Sequence, residues 1–169
     1  MKSESGVTLL ELLITITIIM VVASVAMPIS KMVSKRTREI ELRQQLRMIR
    51  AQIDLFKVEW NREGDNLLGT LCSKNKLTCK EVTGVTGYPK SLNVLLNVDL
   101  TGDQASVKEA THRRYLRKVP VDPMTNKADW KLRCYSDASD ASSWCGDDIY
   151  DLSSVSTDVA LDGSKYQDW

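Results

Sequence analysis

Gly6-Val7-Thr8-Leu9-Leu10-Glu11, opening an apolar run that ends at Ile29, sets what the rest of this chain can be. Between Val7 and Ile29 the one ionisable side chain is Glu11, and the one helix breaker is Pro28. A helix needs about 20 apolar residues to cross a bilayer, and this run supplies them. A carboxylate near the start of such a segment is costly in lipid and by default points to a specific partner. An α-amino group is the natural candidate. Cleavage after Gly6 would make Val7 a new N-terminus and Glu11 the fifth residue counted from it. When such helices pack side by side, a neighbour's terminal amine can neutralise that carboxylate, whereas nothing in its own helix can.

These residues resemble the class III signal of type IV pilins and type II secretion pseudopilins. That signal has Gly before the cut, an apolar first residue (usually Phe, here Val7) and Glu at mature position five. Pro often stands at mature position 22, where Pro28 falls. The resemblance implies cleavage after Gly6 by a prepilin peptidase, methylation of the Val7 amine, and assembly through Glu11 and Pro28. An uncleaved signal anchor with an incidental Glu is the plainer alternative. A secretory signal fits less well, because it is cut after its apolar core and has a stronger basic region than Lys2 alone.

A chain of 169 residues with one membrane-length segment leaves room for one modest further domain. Its net charge of +1 gives no reason to expect a nucleic-acid partner. Four cysteines beyond a membrane segment suit an oxidising compartment and two disulfides. A single Phe leaves the core to Leu, Val, Ile and Trp. Lys31, Lys35, Arg36 and Arg38 follow the apolar run while only Lys2 precedes it. Taken alone, the positive-inside rule would put the C-terminal part in the cytoplasm. The cysteines and the leader argue the other way, for a single-pass inner-membrane protein with a periplasmic domain.

Beyond Pro28, which should kink or locally melt the helix, the helical pattern continues. Leu42, Leu46, Ile49, Ile53, Phe56 and Trp60 recur at spacings of four and three, an apolar stripe suited to covering a sheet. Glu39 with Arg43, and Arg50 with Asp54, read as i,i+4 pairs on other faces. Gly64 to Gly69 reads as the helix exit. The expected divisions are a leader over 1–6, a membrane and polymerisation helix over 7–29, its amphipathic half over 30–60, and a globular α+β domain over 61–169.

Within that domain, Ser91 to Val98 reads as a short helix with Ser91 as its cap. Asp103 to Lys118 reads equally as helix or loop. Its basic cluster, His112, Arg113, Arg114, Arg117 and Lys118, is either a solvated face or a docking patch. Val119 to Pro123 reads as a turn. Ala128 to Tyr135, with Trp130, Leu132 and Cys134 at period two, reads as a strand. Asp148 to Leu152 reads as the strand returning to it. Cys134–Cys145 would pin that hairpin, and Cys72–Cys79 would close a polar loop. This nearest-neighbour pairing is one of three connectivities. CxxC spacing is absent, which disfavours zinc.

Asp147, Asp148, Asp151, Asp158, Asp162 and Asp168 crowd the last 23 residues, so either water or a hard cation must relieve their repulsion. Trp169 suggests that the segment packs down. A narrower resemblance rests on Tyr88-Pro89, Tyr115-Leu116, Val119-Pro120-Val121-Asp122-Pro123, Asp148-Ile149-Tyr150-Asp151-Leu152 and Asp168-Trp169. Together they are similar to the C-terminal domain of G-type major pseudopilins. That resemblance implies a pilin-like α+β fold, with a long N-terminal helix on a small antiparallel sheet and calcium ordering the C-terminal loop. Carried over, Asp158 and Asp162 would be carboxylate ligands and Leu152 a carbonyl donor. The connection from Leu152 to Asp158 is longer than the family's, and both cysteine pairs are additions.

The implied role is structural, with no catalytic set built around the single His. It is that of a subunit of a homo-oligomeric helical filament, meeting prepilin peptidase, an inner-membrane assembly platform and minor pseudopilins. A type IV pilus subunit serving adhesion, motility or DNA uptake is the alternative. A membrane-anchored binding module that never polymerises is a third reading, from another class.

Overall fold

A computed structural model describes residues 8–63, 82–84, 86–99, 112–138, 140–141 and 143–169, with the backbone alone at 60–63 and 99. Gly6, Val7, Cys72, Cys79, the side chain of Trp60 and the helix exit at 64–69 lie outside the described residues. The chain divides into two compact units, residues 1–38 and 39–169.

One helix, α1 (Leu9–Glu63), begins in the first unit and ends in the second. Its start is capped: the Thr8 hydroxyl oxygen accepts from the Glu11 N–H at 3.3 Å, and the Thr8 carbonyl accepts from the Leu12 N–H at 3.1 Å. Thr8-Leu-Leu-Glu11 is therefore also the sequence of a helix N-terminus. α1 stays helical through Pro28, so the expected local melting does not occur. Proline withdraws one backbone donor there, and the bonds of the turns on either side carry the helix through.

In the first unit every described residue except Lys35 is exposed. Its hydroxyls turn back onto their own helix. Thr15, Thr17 and Ser24 donate to the carbonyls of Leu12, Ile14 and Val21 at 2.9, 2.7 and 3.1 Å. Each of these three hydroxyls is thus satisfied without water, as lipid requires.

The second unit is built on the apolar stripe of α1. Leu42, Leu46, Ile49, Ile53 and Phe56 are all buried, against Leu95, Val98, Leu116, Trp130, Ile149, Leu152 and Tyr166. The small antiparallel sheet comes as two ladders. β1 (Val98–Asp99) pairs with β2 (His112–Arg113), and β3 (Trp130–Arg133) pairs with β4 (Asp151–Ser154). In the second ladder Leu132 faces Leu152 and Arg133 faces Asp151. The hairpin expected from Trp130, Leu132 and Cys134 is present, with its return strand three residues later than Asp148.

The Ser91–Val98 helix does not form. A 3-10 turn at Val94–Leu96, with no side-chain cap, gives way to β1. One turn of helix is a poor nucleus, and Val98 is buried by pairing with Arg113 instead. In the Val119–Pro123 segment Asp122 is fully buried. Its carboxylate accepts from the Met124 N–H at 2.7 Å and the Ser154 hydroxyl at 2.6 Å, tying this turn to β4. Trp130 Nε1 donates to the Pro120 carbonyl at 3.1 Å, so the same turn closes over the core.

Candidate functional site

Two regions hold the residues singled out by sequence: the start of α1 and the loop after β4. At the first, Glu11 sits in the opening turn of a helix whose next large side chains are bare, Leu9 being 83 % and Val21 66 % exposed. A stretch of α1 is long and apolar enough to cross a membrane, and none of that stretch is buried among the described residues. Side chains of this kind are stable only in lipid or against other apolar helices.

At the second region, the segment after β4 is folded onto α1 by three of its charged residues. Glu39, buried, accepts from the Leu161 N–H and the Tyr166 hydroxyl, both at 2.8 Å. Arg43 donates to Asp162 Oδ2 at 3.1 Å and lies 4.1 Å over the Trp169 ring. Arg50 donates to Asp151 Oδ1 at 2.6 Å, to the Leu152 carbonyl at 3.0 Å and to the Trp169 main-chain oxygen at 2.7 Å. Burial, then the Glu39 carboxylate that it bonds, pushes the Tyr166 hydroxyl well above the usual phenol range. The loop itself is a tight reversal. Val159 bridges Lys165, Gly163 takes a positive φ of 86°, and Asp162 Oδ1 accepts from the N–H and hydroxyl of Ser164.

The sequence treated Glu39, Arg43 and Arg50 as partners within the helix, whereas the structure directs them to residues 151–169. The missed signal is their place beside the buried stripe, at intervals of four and seven. The acidic segment is likewise dispersed. Asp148, 3 % exposed, accepts from the Thr86 hydroxyl and from the Tyr135 N–H at 3.0 Å. Gly84 makes this possible, since a Cβ there would stand 2.9 Å from Asp148 Cβ. Asp151 is shared between Arg50 and Arg133, the latter at 2.7 Å.

Of the three groups that the resemblance assigned to calcium, Leu152 and Asp162 meet guanidinium groups. Leu152 gives its carbonyl to Arg50, and Asp162 gives one carboxylate oxygen to Arg43 and the other to Ser164. Asp158 is exposed, its N–H donating to the Ser156 hydroxyl and its carbonyl accepting from the Tyr166 N–H. Calcium needs six to eight oxygens at 2.3–2.6 Å. As arranged, this set does not fit one.

Cys134 and Cys145 are joined in a disulfide, and Asp137 braces the loop between them by accepting from the Cys134 N–H at 2.8 Å and the Cys145 N–H at 3.4 Å. Among the described residues these three form the one cluster of His, Cys, Asp or Glu close enough to share a metal, and the disulfide removes its thiolates. In the basic cluster, Arg113 is paired with Glu59, which also accepts from the Tyr115 hydroxyl at 2.6 Å. His112, Arg114, Arg117 and Lys118 are exposed.

Residues 1–27 match the family model described as the prokaryotic N-terminal methylation motif. The chain carries a prepilin-type signal. With the long bare helix that follows it, the signal indicates a type IV pilin-like, membrane-anchored subunit that is processed by prepilin peptidase and assembles in pilus-like fashion. No curated protein and no solved structure matches the chain.

Proposed function

We propose that this chain is the main subunit of a pseudopilus in type II protein secretion, with its C-terminal domain in the periplasm and a role that is structural and not catalytic. The observation that carries the assembly reading is the bare apolar helix whose opening turn holds one carboxylate, Glu11, five residues into the mature chain. In lipid that charge is costly until the Val7 amine of a neighbouring copy meets it. Polymerisation then relieves the charge and packs helix on helix. Inner-membrane machinery would feed the filament, with minor pseudopilins as further partners.

The second unit offers a contact surface for the same purpose. Ile40, Met48, Leu55 and Val58, on the side of α1 away from the buried stripe, are 40–51 % exposed. The choice of pseudopilus is supported by the segments that resemble G-type pseudopilins, which are also those that build the core: Tyr88, Leu116, Asp122, Ile149 and Leu152 are all buried. The Cys134–Cys145 disulfide favours the second reading, a type IV pilus subunit.

Glu11→Ala tests assembly. Filaments should disappear while the monomer accumulates in the membrane; filaments of normal length would overturn the proposal. An anchored binding module would be indifferent to the substitution. Deleting the gene separates the two filament readings, since loss of protein export marks the pseudopilus and loss of surface fibres marks the pilus.

A further inference from the structure

Crowded carboxylates in a C-terminal loop need positive charge, and here α1 already delivers it. We infer that Arg50, seconded by Arg43, holds the loop in the place of a divalent cation, so that its order does not depend on metal. Arg50 reaches three oxygens at once: Asp151 Oδ1 and the Leu152 carbonyl in the first half of β4, the strand that leads into the loop, and the Trp169 main-chain oxygen where the segment comes back. A planar, permanently charged guanidinium suits such a span, which a lysine ammonium, compact and strongly hydrated, does not.

Arg43 fixes the far side of the loop. It bonds Asp162 and stacks on Trp169, whose Nε1 donates to the Ser164 hydroxyl at 2.6 Å. A divalent ion bound to the Leu152 carbonyl would lie beside the Arg50 nitrogen that already bonds that oxygen, and like charges at such range repel. Two monovalent cations carried by the chain thus supply the charge that one calcium would bring.

The test is thermal unfolding of the full chain in detergent, followed by tryptophan emission, in calcium chloride and in excess EGTA. Wild type should unfold at the same midpoint in both. Arg50→Lys and Arg50→Met should each lower the midpoint by about 5–10 °C, the range for losing one or two charge-assisted bonds in a domain of this size. A wild-type midpoint that climbs saturably with calcium would overturn the inference, as would variants that melt like wild type. If Arg50→Met does not fold, the wild-type comparison and Arg50→Lys still decide. None of these outcomes depends on whether the chain is processed or assembles.

Discussion

Glu39 shows how one buried carboxylate can organise a whole segment. It receives a main-chain N–H from Leu161 and the phenol of Tyr166, and burial makes both bonds matter. Glu39→Ala would orphan both donors and should cost about 2–4 kcal/mol in chemical unfolding, whereas Tyr166→Phe should cost about 1 kcal/mol. The phenols add a pH dependence. Burial raises both Tyr115 and Tyr166, and each also bonds a carboxylate, Glu59 and Glu39 respectively. Unfolded phenols ionise near pH 10. Below that pH the contribution of the two tyrosines to stability is complete. Above it the unfolded chain loses protons that the folded chain keeps, so stability falls as pH climbs toward the folded values. Tyr166→Phe should therefore flatten the alkaline loss, which urea midpoints at pH 9, 10 and 11 would report.

At the scale of elements, α1 was legible because its periodicity is strong. Leu42 through Phe56 repeat at helical spacing and are the buried face. The opposite face yields a contrast. Ile49→Ala should cost about 2–5 kcal/mol of folding stability, while Ile40→Ala, at a half-exposed site, should cost little and instead weaken filament formation. The β3–β4 hairpin was legible from Trp130 and Cys134, although its return strand was placed too early. Asp148 looked like strand because it precedes Ile149 and Tyr150, yet its carboxylate is drawn away by Thr86 and Tyr135. β1 and β2 were not legible, for two-residue strands have no period. The Cys134–Cys145 link closes a short loop, so reduction or Cys134→Ser should cost about 2–3 kcal/mol in the chain-entropy account. Unfolding with and without reductant measures it.

Across the whole molecule the sequence speaks most clearly where solvent and lipid impose the rules. An apolar run with a single carboxylate has few uses, and a helix with exposed leucines and hydroxyls bonded to their own backbone is built for lipid. The docking of residues 151–169 was harder to foresee. It depends on polar groups 101 to 127 positions apart finding one another, and no local pattern announces that Arg50 will meet Asp151 or Glu39 will meet Tyr166. The aspartates were visible, whereas the arginines that answer them were hidden among ordinary helix-surface charge. Everything about assembly rests on the residue that becomes first in the mature chain. Intact-mass spectrometry of the protein from membranes of producing cells tests this directly. The expected mass is that of a chain beginning at Val7 with one methyl group added; a mass that retains Met1 to Gly6 would contradict it.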